Sequence, residues 1–308
     1  MSDKSDIEWT DATWNPVTGC TRVSEGCDNC YAVPMTKRLE RMKKPKYQGL
    51  VGKGHFNGVV KCHESALEIP FKWTKPRRIF VNSMSDLFHE HVPFEFIANV
   101  FTTMGQCHWH TFQILTKRPH ILREFFYWNY PADKISYEAA AQDWLKCWPN
   151  VWLGVSVEGQ HEANDRIPKF VWCPAAVRFL SCEPLLEPID IGRAIPCGYY
   201  CDESVGHVDH PFWGNGNVKS PIDWVIVGGE SGPGARPCRA TWIRDIVHDC
   251  KAAGVPVFVK QLGSNPEEGY GCHRKLRLNH RKGGNIEEWP DDLRIRQFPK
   301  AATEAALV

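Results

Sequence analysis

The sequence of 308 residues has almost no charge bias: 37 basic residues face 36 acidic ones, for a formal net charge of +1. No global field is available to hold nucleic acid or an anionic membrane, so any such binding needs a local patch. No run approaches the roughly 18 consecutive apolar residues of a membrane span. Residues 1–9 are polar and acidic and contain no apolar core of a secretion signal. There is no internal repeat and no low-complexity tract. These absences exclude a secreted mini-protein, a membrane-spanning chain and a disordered tail, and we expect a protein of the reducing cytoplasm without membrane partners.

What is abundant is cysteine and tryptophan, 13 of each. An odd number of thiols cannot all pair within one chain. In a reducing compartment, clustered cysteines are more often metal ligands or redox groups than a disulfide framework.

Short runs of β-branched and aromatic residues recur at 79–83, 112–116, 151–157, 177–181, 224–228 and 255–259. Near-continuous apolar runs of this length suit strands buried on both faces. A further strand is expected near 13–19. Between them, 94–107 reads as an amphipathic helix opened by Pro93, and 241–253 as another stopped by Gly254. Strands alternating with helices imply βαβ units and a parallel sheet. The expected fold is α/β, a partial or nearly closed (β/α) barrel of about six to seven strands. The barrel would occupy 1–265, interrupted by Lys/Pro/Gly/His-rich (43–76) and Gly/Pro/Cys/His-rich (192–222) insertions. Residues 266–308 would form a basic C-terminal extension.

The strongest chemical signal is Cys20, Cys27 and Cys30, spaced C-x6-C-x2-C, following an expected strand. The tight C-x2-C turn lets two thiolates converge, and the longer loop brings the third around, with Gly19 and Gly26 permitting the backbone angles. Soft thiolates with no local fourth ligand suit an iron–sulfur cluster with one open iron. Zinc with a distant fourth ligand, or three ordinary buried thiols, are the alternatives. A second candidate metal site, for zinc, is Cys197, Cys201, His207 and His210, whose spacing is not that of a standard finger.

This loop resembles that of radical S-adenosylmethionine (SAM) enzymes, with x6 in place of their usual x3. Its C-x2-C-Tyr ending is similar to spore photoproduct lyase and its relatives. The residues 14–20 and 30–32, with Val227-Gly228-Gly229-Glu230-Ser231-Gly232 and Phe258-Val259-Lys260-Gln261, more closely resemble the phage-associated, radical-SAM-like "three-Cys-motif" family. The resemblance implies a radical-SAM-type TIM barrel in which Cys20, Cys27 and Cys30 hold three irons of a [4Fe–4S] cluster. The fourth iron would bind SAM, whose reductive cleavage by an external electron donor releases a 5′-deoxyadenosyl radical that abstracts hydrogen. It also implies a protein partner for some relatives.

In a β/α barrel the site lies at the C-terminal strand ends. Polar residues fall there two apart, at Ser83 and Ser85, Ser156 and Glu158, Ser181 and Glu183. Alternation puts each pair on one side if its strand continues, and Cys182 on the other, against the helices. By analogy Ser83, Ser85 and Asp86 would hold the methionine amino group of SAM. Ser156 and Glu158 suit the ribose, and Gly228 and Gly229 close approach to adenine or substrate. Glu183, Glu230 and Lys260 are the candidate catalytic residues.

Basic stretches at 37–46 and 273–282, with Trp73, Trp213 and Trp289 in expected loops, make DNA, RNA or a nucleotide the candidate substrate. Two other functions fit the sequence: a barrel hydrolase using Glu158, Glu183 or Glu230 as acid and base, and a zinc-stabilised nucleic-acid-binding protein without catalysis.

Overall fold

The computed structural model describes residues 5–191, 220–269 and 272–300. Seven strands form one sheet: β1 (Ala12–Trp14), β2 (Arg78–Val81), β3 (Thr111–Thr116), β4 (Val151–Ser156), β5 (Val177–Cys182), β6 (Trp224–Gly228) and β7 (Val257–Gln261). Their spatial order follows chain order without reversal. A doubly wound sheet reverses direction part-way; a βα-barrel does not. The ladder is linear, so the expectation of a partial α/β barrel holds and full closure does not. All six residues of β4 and all five of β6 are buried, as strands covered on both faces require.

The chain divides into two compact units, residues 1–154 with 173–176, and 155–172 with 177–308. The first holds β1, β2, β3 and most of β4. Its helices are α1 (Ala32–Arg41), α2 (Phe94–Gln106), α3 (Pro119–Asn129) and α4 (Tyr137–Cys147). Pro93 precedes α2, which buries Phe96, Ile97, Val100, Phe101 and Met104. Phe94, at the edge of that face, is half-buried and meets Phe125 and Trp128. Helix α3 turns Ile121, Leu122, Phe125 and Phe126 inward, and α4 buries Ala140, Ala141 and Trp144. They are held by aromatic rings, Phe101, Phe125 and Phe126 packing around Trp144.

The first strand is shorter than expected. After Trp14 the chain leaves the sheet, and Val17–Thr18 pairs antiparallel with Lys61–Cys62. Residues 43–76 run between α1 and β2. They supply a strand and the hairpin Val51–Gly52/His55–Phe56, which fold beside the cysteine loop.

The second unit contains α5 (Gln160–Phe170), β5, β6, β7 and α6 (Ala240–Ala252). Helix α6 buries Trp242, Ile243, Ile246 and Val247, and Gly254 at φ +66° ends it, as the sequence predicts. Cys182 is fully buried near Cys250 of α6, and burial pushes its thiol well up. It faces the helix side. Strand β7 is not a bare edge: Val259 N–H donates to Ile295 O at 2.8 Å and Gln297 N–H to Val257 O at 3.0 Å. Trp289, expected in an exposed loop, is instead 2% exposed and donates to Gly283 O at 2.8 Å. It offers no stacking surface. Trp213 lies outside the described residues, as do Cys197, Cys201, His207 and His210. No helix among the described residues is long and apolar enough to cross a membrane.

Gly229 shows how closely β6 and the chain after β7 approach. A Cβ there would lie 2.3 Å from Leu262 O and 2.8 Å from Leu262 C. Backbone cannot rotate away from such a contact, so overpacking of about 1–3 kcal/mol is expected. Gly229→Ala should lower the urea midpoint with little change in slope; an unchanged midpoint would show that this approach is not tight.

Candidate functional site

The loop 19–31 leaves the C-terminal side of β1 and runs into α1. Gly19 opens it at φ +92°, where a Cβ would lie 2.0 Å from Val59 O. Only glycine fits between this loop and the 43–76 segment. Gly19 bridges in parallel to Ser85, so the loops after β1 and β2 stay side by side and Cys20 comes beside Asp86.

All three cysteines are half-buried free thiols. Cys27 interacts electrostatically with both Cys20 and Cys30. Burial, then Asp86, pushes Cys20 up to about 12, against the opposing Arg118. Cys30 is raised by burial. Burial acts on Cys27 in the same direction, but the Lys117 ammonium and hydrogen bonds at Val23 and Ser24 outweigh it and hold its thiol below the usual range. Lys117 Nζ donates to Ser24 Oγ at 3.4 Å, and that hydroxyl lies 4.0 Å from Cys27 Sγ.

Arg118 is the hub. It is 3% exposed, and its Nη1 donates to Asp86 Oδ2 at 3.1 Å while lying 4.0 Å from Cys20 Sγ. Its Nε donates to Glu90 Oε2 at 2.8 Å and its Nη2 to Thr21 Oγ1 at 3.2 Å. Thr21 also meets His89 Nε2 and donates to Glu90 Oε1 at 3.2 Å. His89 is fully buried; its Nδ1 accepts the His91 N–H at 3.1 Å. Burial and then Arg118 lower its pKa to about 4. The ring is therefore neutral, with its remaining proton on Nε2, directed at Thr21.

Asp86 is saturated. Oδ1 accepts Thr116 Oγ1 at 2.8 Å and Phe88 N–H at 3.0 Å, and Oδ2 accepts Lys117 N–H at 3.0 Å and Arg118. The serine alternation does not arise, because β2 ends at Val81 and Asn82 turns left-handed at φ +60°. Ser83 Oγ donates to Asn15 Oδ1 at 3.2 Å and Ser85 Oγ to Val17 O at 2.9 Å, bracing the two loops against each other.

In the second unit, each strand-end carboxylate has a cationic partner. Glu158, 1% exposed, pairs with Arg166 Nη1 at 2.8 Å, and the same nitrogen donates to the carbonyl of Ser156 at 2.8 Å. Lys260 Nζ lies 2.7 Å from Glu183 Oε1, which also accepts Gln261 Nε2 at 3.1 Å. Arg236 binds Glu230 through Nε at 3.0 Å and Nη2 at 2.6 Å. Gly228 and Gly229 pack on the backbone of Gln261 and Leu262.

A family described as "Protein of unknown function (DUF5131)" matches residues 4–299. The chain belongs to the DUF5131 family. No curated protein matches this DUF5131 chain. One solved structure, a cysteine-to-serine mutant of spore photoproduct lyase, is similar at 11% identity and a TM-score of 0.43. That match covers 95% of this chain and 74% of that one.

Whether the DUF5131 loop can hold a metal depends on its donors. Among the described residues no three His, Cys, Asp or Glu side chains converge on one metal ion. A four-iron cluster makes a different demand, since each thiolate takes its own iron and the ligands stand further apart than around one zinc. Three soft thiols on one loop, with Lys117 and Arg118 beside them to offset thiolate charge, fit such a cluster. Thr21, His89 and Glu90 are site residues that sequence pattern did not single out; an acidic residue four places after Asp86 was the available signal.

Removing one partner from a buried ion pair leaves the other charge uncompensated, at a cost of about 3–5 kcal/mol. Arg118→Met should destabilise the DUF5131 fold by that amount in urea unfolding. The double variant with Asp86→Asn should lose clearly less than the sum of the single changes. Strict additivity would show that the pair is not coupled.

Proposed function

We propose that this chain is a radical-SAM-like enzyme, with a [4Fe–4S] cluster on Cys20, Cys27 and Cys30. The observation that carries this reading is one loop bearing three half-buried thiols, with the Lys117 ammonium acting on Cys27. A thiolate is the form that binds iron. The resemblance of the loop to the phage-associated three-Cys-motif proteins supports it, and a reducing compartment suits it.

The cluster, when bound, supplies an electron that cleaves SAM reductively, giving methionine and an adenosyl radical able to abstract hydrogen. The chain's own part is to hold and shield. Gly19 sets the entry of the loop against Val59. Thr21 and Arg118 pin its first turn, and Ser24 and Lys117 its second. Asp86 serves by fixing Arg118 and the start of α3, because all four of its hydrogen bonds are internal. Ser83 and Ser85 are half-exposed beside it and remain our candidates for the polar end of SAM. The substrate is left between nucleic acid and nucleotide.

Protein purified and reconstituted without oxygen should be brown and contain iron and sulfide in equal amounts. After reduction it should convert SAM to 5′-deoxyadenosine. Cys27→Ala should lose both the colour and the product. Colourless wild-type protein after reconstitution would overturn the assignment, and stoichiometric zinc in its place would make the loop a structural site.

A further inference from the structure

Helix α1 starts one residue after Tyr31, beside the cysteine loop, and its outer face is divided in two. Tyr31, Met35 and Met42 are 54%, 42% and 55% exposed. At offsets of 4 and 11 residues they form one line along the helix. With Val23 they make up four of the seven exposed large hydrophobic residues among the described residues, all within positions 23–42. Beside this line stand Lys37, Arg38, Arg41, Lys43 and Lys44, all exposed. Among the described residues none of the five makes an ion pair. The one acid in this stretch, Glu40, is occupied by the Gly49 N–H at 2.8 Å. In a chain of net charge +1, five cations against one acid within eight residues leave a net +4, a concentrated field.

We infer that this face binds a single-stranded nucleic acid. Each half of the face matches one side of such a strand. Phosphates seek the cations, and base faces seek the aromatic ring and the polarizable methionine sulfurs. A duplex hides its base faces and would leave the apolar line uncovered. An acidic protein would use the cations but not a fixed ring platform. Tyr31 is such a platform, because its hydroxyl donates to Ser83 O at 2.6 Å and anchors the exposed ring. The five cations lie within positions 37–44, so a strand laid along this face can meet up to five of them with its phosphates.

Binding at this face is independent of any cluster; only its meaning as a substrate track rests on the function proposed above. It would lead a strand along α1 to the loop that holds Cys30.

The test is fluorescence anisotropy of a labelled oligothymidylate strand with the full chain, across about 50–200 mM salt. Five phosphate contacts predict a slope of log affinity against log salt of about −3.5. Lys37→Ala with Arg41→Ala should reduce the slope by about 1.4. Tyr31→Ala should weaken single-strand binding by about fivefold to 150-fold, Tyr31→Phe, which keeps the ring and loses its anchor, should restore only part of it, and neither should alter duplex binding. Circular dichroism of each variant shows that the fold is intact. No saturable binding at low salt, or a slope unmoved by the double variant, overturns the inference. So does equal affinity for single strand and duplex, or a face that takes only acidic proteins. Iron content is measured on the same preparations. Strand binding without a cluster leaves this inference standing and sinks the proposed enzyme, whereas an intact cluster without strand binding does the reverse.

Discussion

Arg118 lies buried at the junction of β3 and α3, and a guanidinium in that position must be matched by charge and hydrogen bonds or be expelled. Asp86 supplies the matching charge from the end of β2, and Glu90 and Thr21 take the remaining donors. The requirement reaches across three consecutive chain segments: the loop after β1, the turn after β2 and the start of α3. Those segments carry the cysteine loop. Its shape therefore depends less on its own sequence than on a cation provided 98 residues after Cys20. The cost of hiding Arg118 is offset only when all of its partners are in place, which ties the loop to the completed sheet.

The sheet makes that arrangement available. Because β1, β2 and β3 are parallel and adjacent, their C-terminal ends fall along one edge, and the residues that follow them meet without long reaches. The 43–76 segment closes the other side. Val59 O crowds Gly19, the Gly58 N–H donates to Cys20 O at 3.2 Å, and the His63 N–H donates to Pro16 O at 2.9 Å. Polar backbone that leaves the sheet early at Trp14 is thus satisfied by a segment whose composition reads as loop.

The parallel sheet was legible because its strands are buried on both faces and so write themselves as unbroken apolar runs, as at Val151–Ser156 and Trp224–Gly228. Helix α6 was legible for the opposite reason, an apolar stripe with a glycine stop. What escaped was structure made by pairing distant residues. Trp289 stands among Gly, Asn and charged residues and reads as exposed, yet Arg296 lies over its ring at 5.3 Å and Gly283 accepts its indole proton. Alternation failed at Ser83 and Ser85 because one left-handed residue, Asn82, ends the strand, and its side chain then accepts the Val17 N–H at 3.1 Å. The three cysteines stand on one loop, as their sequence spacing requires. Arg118 was legible as a polar residue at the end of the third apolar run, but its partners Thr21, His89 and Glu90 were not, because each is unremarkable until β1, β2 and β3 are placed side by side.

The six residues between Cys20 and Cys27 raise a physical question, since a longer loop costs more entropy to order. Here that cost is met locally. Thr21 is bonded to Arg118, His89 and Glu90; Arg22 pairs with Asp28; Ser24 accepts Lys117 and receives the Cys27 N–H at 3.0 Å. Only Val23, Glu25 and Gly26 lack a side-chain anchor of this kind, and Glu25 and Gly26 lie in a short 3₁₀ turn that brings Cys27 back. The added length therefore does not make the loop slack. It lets the loop reach Arg118 and Lys117, so that two cations from one strand end stand beside two of the three thiols.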